Sequence, residues 1–223
     1  MRIRSLTELS EFLANELAWR KRELTTLRFM TQKARAHEEV TLLRVAICLL
    51  YAHWEGFIKN AATAYICFVV SQRLRLHDVA PNFLALGLLS DIQQPEQSKV
   101  ATLHSHLTNY FVSQLPERFS IDCERVINTR SNLNSDVLKE ILQYVGVDTT
   151  SYEIQNVMLY ERLLRNRNSI AHGERLEIQS DDYMPLHETM LELIERFRTD
   201  VENAAVLSRY RRNSPLSVNS ESG

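Results

Sequence analysis

The chain has 223 residues, of which 44% are hydrophobic and 24% are charged, as in an ordinary globular protein. Its formal net charge of -2 excludes a global basic field that would capture nucleic acid, so any contact with RNA must come from a local patch. With 5 Gly and 5 Pro in the whole chain, the composition favours a few long helices over many short strands.

Two long helices are predicted in the first third of the chain. Apolar residues recur near the helical period from Ser5 to about Ala36, with charged residues between them. A second helix is predicted from Glu39 to about Leu74, and its apolar residues run almost all round, which places it at the centre of the fold. Gly56 inside this helix costs about 1 kcal/mol relative to alanine, so we expect a neighbouring helix to approach closely there.

The second helix does not have the composition of a lipid-spanning segment. The apolar run 42–70 is interrupted by four charged or titratable residues, Arg44, His53, Glu55 and Lys59. The first residues of the chain also lack an apolar stretch of signal-peptide length. We therefore expect a cytoplasmic protein without a membrane partner.

The cysteines and histidines predict neither a disulfide framework nor a metal site. Cys48, Cys67 and Cys123 are odd in number, are widely spaced and lack a CxxC pair. His104 and His106 fall on different faces of a predicted helix, with no acidic ligand at matching spacing. We expect no cofactor and no metal, with the cysteines acting as small core residues or remaining inert.

The rest of the chain predicts shorter helices, one irregular segment and a tail. Ser135 is expected to cap one helix and Gly146 to end it, while 117–134 is expected to be partly strand or irregular. Residues 1–210 are predicted to form a single all-α domain, and 211–223 a disordered tail. The further helices are predicted over 77–94, 98–114, 135–145, 153–172 and 181–210.

The helix 153–172 ends in the most informative stretch of the chain, RNRNSIAHGE over 165–174. Successive helical residues are rotated by about 100°, so one polar stripe can form, with Arg167 at its edge. The stripe consists of Arg165, Asn168, Ser169 and His172. Arginine fits phosphate oxygens, and histidine exchanges protons near neutral pH. RNA carries its own nucleophile, the 2′-OH, so a cation beside a proton shuttle matches metal-independent RNA cleavage.

Arg167 and His172 are the candidate catalytic pair. Arg167 would hold the phosphate and stabilise the transition-state charge, while His172 would serve one of the two proton-transfer roles. Asn168 would orient the imidazole or bind the phosphate, and Arg165 competes with Arg167 as the catalytic arginine. Since one stripe has a single histidine, two copies facing each other across a two-fold axis would complete the site, which predicts a homodimer.

Glu55, on the second helix, is a further supporting candidate. It either pairs with Lys59, four residues on, or positions an arginine or histidine of the motif. The sequence leaves both interpretations open. The neighbouring Trp54 and His53 are expected to be structural.

Two segments of the chain resemble the HEPN domain family. The sequence RNSIAH over 167–172, followed by Gly173 and Glu174, resembles the HEPN signature, in which an arginine and a polar residue precede a histidine by a few positions. The sequence LYAHWEGFIK over 50–59 resembles the bacterial MAE-like branch. The resemblance covers most of 6–207. It implies an all-α HEPN-like bundle of long antiparallel helices whose motif helix ends in RNxxxHG.

The resemblance also implies a function. Many HEPN domains are metal-independent endoribonucleases that serve as toxins or in defence against phage, and they are typically dimeric. Carried over by position, Arg167 and His172 would be catalytic and Asn168 the accompanying polar residue. The implied partners are an RNA substrate, a second copy of the chain and an antitoxin or regulatory protein. The alternative is a non-catalytic HEPN module that dimerises or binds nucleotides or a partner.

Overall fold

The computed structural model describes residues 1–92, 115–152 and 155–212, and within these ranges the regular structure is helical. The all-α prediction is confirmed. Short 3₁₀ turns at Leu76–Asp78 and Thr150–Tyr152 join the longer elements. The six helices of the described residues are α1 (Leu6–Lys33), α2 (Ala36–Ser71), α3 (Pro81–Ile92), α4 (Ser135–Val145), α5 (Gln155–Ala171) and α6 (Ser180–Val206).

Capping residues explain where the first two helices begin. The Ser5 hydroxyl accepts the Glu8 backbone N–H at 3.1 Å, and the Glu8 carboxylate accepts the Ser5 N–H at 3.2 Å, which is a capping box. At the start of α2 the Glu38 carboxylate accepts the Arg35 N–H at 3.1 Å. This contact starts α2 at Ala36, three residues earlier than the sequence predicted.

The predicted cap of α4 is wrong by one residue. The side chain of Asn134, and not that of Ser135, accepts the Val137 N–H at 2.9 Å. Gly146 ends this helix as predicted, with a φ of 67° that a residue with a side chain rarely adopts. The predicted helix 98–114 and residues 213–223 of the predicted tail lie outside the described residues.

Helix α2 forms the centre of the bundle, as its sequence predicted. Its side chains are buried without interruption from Ala61 to Val69, and Tyr51, Trp54 and Phe57 are buried one or more turns earlier. It packs against α1, α4, α5 and α6, while α1 and α6 also contact each other. By length and composition alone α2 could cross a membrane, and in this structure half of its most apolar window is buried inside the bundle.

Gly56 allows the close approach that its position predicted, and the neighbour is an arginine of α1. A Cβ at Gly56 would lie 3.1 Å from Nη2 of Arg20, which is only 3% exposed. Arg20 Nε donates to the His53 carbonyl at 3.3 Å, and Nη1 lies 3.0 Å from the Glu16 carboxylate. A side chain at position 56 would therefore push against a guanidinium that is already held on two sides.

The prediction of no disulfide is wrong. Cys67 of α2 and Cys123 are bonded, across a separation of 56 residues, while Cys48 is free. An odd number of cysteines does not show which two meet, and the pairing here follows from the path of the chain. The segment 117–134, which is irregular as predicted, folds back along the end of α2 and brings Cys123 to Cys67.

Candidate functional site

The motif helix α5 ends in a Schellman motif at the residues that follow His172. The Gly173 N–H donates to the Ile170 carbonyl at 3.0 Å, and the Glu174 N–H donates to the Ser169 carbonyl at 2.9 Å. Gly173 adopts a φ of 79°, which favours glycine. The helix ends at Ala171, and His172, which follows it directly, is exposed. Its imidazole makes no hydrogen bond or ion pair with any residue that the structure describes.

Arg167 lies on the side of α5 that faces α2. It is half-buried, and its Cζ lies 4.9 Å from the centre of the Tyr51 ring. Its Nη1 donates to the Asn168 side-chain carbonyl at 2.8 Å. No carboxylate among the described residues forms an ion pair with Arg167. Its positive charge is therefore supported by a ring and an amide, neither of which neutralises it.

Tyr51 is held firmly beneath Arg167. It is 1% exposed, and its hydroxyl oxygen accepts the Leu133 backbone N–H at 2.7 Å. Burial raises the pKa of Tyr51 above its ordinary range, and the charge and hydrogen bonding of Glu55 raise it further. The phenol therefore remains neutral, and the ring stays in one orientation.

Glu55 is half-buried and acts on the Tyr51 hydroxyl. Neither interpretation of Glu55 from the sequence describes this contact. Glu55 forms no ion pair with Lys59, Arg167 or His172. Tyr51 interacts with both Glu55 and Arg167, and it was not among the predicted site residues.

A backbone segment between Cys123 and α4 joins α2 to the motif helix. The Tyr160 hydroxyl, on α5, donates to the Leu133 carbonyl, and the Glu161 carboxylate accepts the Ser135 N–H at 3.0 Å. Leu133 thus binds Tyr51 of α2 through its N–H and Tyr160 of α5 through its carbonyl. These contacts tie α2 to α5 about two turns before Arg167.

The structure brings some of the predicted site residues together and leaves others apart. Arg167 and Asn168 are in contact, and Glu55 joins them through Tyr51. Arg167 and His172 are five positions apart, or about 140° around the helix, and no contact joins their side chains. Arg165 is exposed and forms no ion pair with a described residue. A single chain therefore presents Arg167 and His172 on different sides of α5.

An apolar depression lies beside the motif helix. Arg44 borders it and ties the chain after the motif to α2, because its Nη1 donates to the carbonyls of Glu174 at 2.9 Å and Leu176 at 3.2 Å. Burial raises the pKa of the Cys48 thiol in its wall, although Arg167 and Arg44 oppose this. The depression has a volume of about 430 Å³ and is lined by Thr41, Arg44, Val45, Cys48, Leu49, Ala52 and Ile170.

The family comparison matches the structural observations. The sequence matches the model of the RiboL-PSP-HEPN family over residues 15–203, a range that includes α2 and the motif helix. The chain belongs to the HEPN domain family. Comparisons of this HEPN domain with curated proteins and with solved structures gave no match. The predicted HEPN resemblance is thus confirmed at the level of the family.

No group of three or more His, Cys, Asp or Glu side chains is placed to hold a metal ion among the residues that this HEPN domain structure describes. His104 and His106, for which the sequence predicted no metal site, lie outside those residues.

Proposed function

We propose that this HEPN domain is a metal-independent endoribonuclease, of the kind used as a toxin or in defence against phage, that acts as a homodimer in the cytoplasm. The observation that carries the proposal is the state of Arg167. Its guanidinium is packed on a buried ring and bonded to Asn168, with no carboxylate partner among the described residues. A cation held in this way remains available to an anion from outside, and an RNA phosphate is an anion that fits its fork of donors.

The proposed reaction begins at the 2′-OH of the substrate. A base removes the 2′-OH proton, the O2′–P bond forms, and the P–O5′ bond breaks as an acid protonates O5′. The products are a 2′,3′-cyclic phosphate and a 5′-hydroxyl, with no water consumed. Arg167 stabilises the negative charge of the phosphorane, and His172 takes one of the two proton-transfer roles.

The second proton-transfer role calls for a second copy of the chain. Each chain offers one His172, which faces solvent while Arg167 faces α2. The apolar depression beside α5 supplies a surface on which another copy can pack, and Val45 in it is 50% exposed. A two-fold axis there would bring the two motif helices together, with both copies of His172 beside one RNA strand.

Incubation of the purified protein with total RNA in EDTA tests the nuclease. We expect cleavage that leaves 2′,3′-cyclic phosphate ends. Arg167→Ala and His172→Ala should each lower kcat by about 100-fold or more, because they remove a charge-stabilising group and a proton-transfer group. Arg175→Ala is the matched control, since Arg175 is exposed just beyond the motif and pairs with Glu177.

Two results would contradict the nuclease. One is a wild-type protein that leaves RNA intact in EDTA. The other is cleavage by Arg167→Ala and His172→Ala at the wild-type rate, which would assign the activity to a contaminant or to other residues.

The proposal that two copies of the chain share one site has its own test. Ala52 is exposed and lines the apolar depression, so Ala52→Glu places a charge where we expect the second copy to pack. This variant should sediment as a monomer and lose cleavage while keeping the wild-type helical content. A dimer that persists, or a monomer that cleaves at the full rate, would contradict a site shared by two copies.

A non-catalytic module is the second candidate. It is favoured by the arrangement within one chain, where Arg167 bonds to Asn168 and no hydrogen bond or ion pair joins it to His172. Such a module would bind a nucleotide or a partner through Arg167, so Arg167→Ala would abolish binding and His172→Ala would not. The MAE-like branch and an antitoxin or regulatory partner stay predictions; copurification from the native host tests the latter.

A further inference from the structure

We propose that Tyr51 is a positioning residue for Arg167: its buried ring holds the guanidinium in the orientation in which it receives a phosphate. The inference rests on the proposed function, because it deepens the description of the same site. It concerns a residue of α2, whereas the motif lies entirely on α5.

The ring of Tyr51 is a rigid support. The side chain is 1% exposed, and its hydroxyl is anchored by the Leu133 N–H at 2.7 Å. Leu133 is in turn bound to Tyr160 of the motif helix through its carbonyl. Leu133 therefore joins the Tyr51 ring to the helix that carries Arg167, which keeps the ring beneath the guanidinium.

The ring face also leaves the hydrogen-bond donors of Arg167 free. A guanidinium attracted to an aromatic face keeps its N–H groups in its own plane, where a phosphate can accept them in pairs. Asn168 accepts from Nη1 at 2.8 Å, and no other described residue bonds to the Arg167 side chain. A carboxylate in place of the ring would occupy these donors and cancel the charge.

The neutral phenol matters for the same reason. Burial, followed by the influence of Glu55, raises the pKa of Tyr51, so a phenolate that would compete with phosphate for Arg167 does not form. The ring and the hydroxyl of Tyr51 thus have separate tasks: the ring orients Arg167 and the hydroxyl anchors the ring.

Two substitutions separate these tasks. Tyr51→Phe keeps the ring and removes the hydroxyl, while Tyr51→Met fills the buried space without a ring. Both leave the Leu133 N–H without its acceptor, so Tyr51→Phe is the matched control for that loss. We expect Tyr51→Met to lower kcat about tenfold with little change in KM, and Tyr51→Phe, which keeps the ring but loses its anchor, to lower kcat by about threefold.

A double-variant cycle asks whether Tyr51 acts through Arg167. In an Arg167→Ala background, Tyr51→Met should cause no further loss of kcat, because the group it positions is already gone. An equal tenfold loss in both backgrounds would overturn the proposal and assign Tyr51 a general structural role. Tyr51→Leu replaces Tyr51→Met in the same cycle if the latter fails to fold.

A second readout does not depend on cleavage. The side-chain resonances of Arg167, assigned by their disappearance in Arg167→Lys, should show the ring-current shift of a group above an aromatic face. The shift should persist in Tyr51→Phe and vanish in Tyr51→Met. A wild-type protein that cleaves no RNA would refute the nuclease and leave this test intact, whereas an Arg167 shift unchanged in Tyr51→Met would overturn the role of Tyr51.

Discussion

Two arginines pack against opposite sides of α2, and they differ in what surrounds them. Arg20 is 3% exposed and is matched by the Glu16 carboxylate and the His53 carbonyl. Arg167 is half-buried and is supported by the Tyr51 ring, with no carboxylate partner among the described residues. The surroundings of Arg20 neutralise its charge inside the fold. Those of Arg167 leave its charge available to a ligand.

Burial explains why the two environments differ. A guanidinium removed from water is stable only when hydrogen bonds and an opposite charge replace its hydration. Arg20 meets this requirement through Glu16, which the Asn60 amide also holds at 2.7 Å. Arg167 still has access to water, so it can remain without an ion pair until an anion arrives. An unneutralised arginine at a half-buried position is thus a better indicator of a site than a buried one.

Replacement of each arginine by methionine gives the largest expected difference. Arg20→Met removes the cationic partner of the Glu16 carboxylate, which keeps its hydrogen bond from Asn60, and should lower the free energy of unfolding by about 3–5 kcal/mol. Arg167→Met should lower it by less than about 1 kcal/mol, because no buried charge loses its partner. Urea unfolding measures both. Equal destabilisation by the two substitutions would show that Arg167 is a structural residue as well.

The disulfide should support the side of the molecule that holds Arg167. It closes a loop of 56 residues and fixes the segment that carries Leu133, so its reduction should lower the free energy of unfolding by about 2–4 kcal/mol. Amide hydrogen exchange at Leu133 should accelerate on reduction, while exchange around Gly56 should not.

Cysteine variants provide the control for this prediction. Cys48→Ala removes the free cysteine and should respond to reductant as wild type does. Simultaneous replacement of Cys67 and Cys123 by alanine should abolish the response. A reductant effect that survives the double replacement would mean that the disulfide does not stabilise this segment. The test also bears on the proposed cytoplasmic setting, where thiols are kept reduced.

The sequence predicted those features that depend on neighbouring residues. Gly146 and Gly173 end helices because each adopts the left-handed conformation that terminates a helix. This effect depends on the glycine itself, so both positions could be predicted from the sequence. The contact between Leu133 and Tyr51 joins residues 82 positions apart, so no local pattern signals it. The motif itself was recognised, but the direction in which Arg167 points depends on packing against α2.

Gly56→Ala tests how firmly Arg20 is held, with a smaller expected effect. The new Cβ would lie 3.1 Å from Arg20 Nη2, and Arg20 cannot move away without weakening its bonds to Glu16 and His53. We expect a loss of about 1 kcal/mol in the free energy of unfolding, although alanine is the better helix former.

The sign of the Gly56→Ala effect should reverse once Arg20 is absent. In an Arg20→Met background the clash is relieved, and the higher helix propensity of alanine should raise the free energy of unfolding by up to about 1 kcal/mol. A substitution that destabilises equally in both backgrounds would show that Gly56 makes room for something other than the guanidinium.

The smallest expected effect is a pH dependence of the free energy of unfolding, and it originates on the side of α2 that faces Arg20. Burial lowers the pKa of His53, Glu23 opposes this, and Arg20 lowers the pKa further. The folded protein therefore binds the His53 proton less readily than the unfolded chain does. The contribution of His53 to the free energy of unfolding is fully present above a pH of about 6.5. It is lost as the pH falls from there toward the folded-state pKa of His53.

Unfolding measured between about pH 7.5 and 5 should thus show stability that declines on acidification. His187, whose pKa is also lowered mainly by burial, should add to the decline. His53→Gln should flatten it in part, and simultaneous replacement of both histidines by glutamine should flatten it further. Arg167→Met should retain the full decline, because Glu23 and Arg20 are the charges that act on His53. A decline that disappeared in Arg167→Met would mean that the two sides of α2 are coupled, against the contrast drawn between the two arginines.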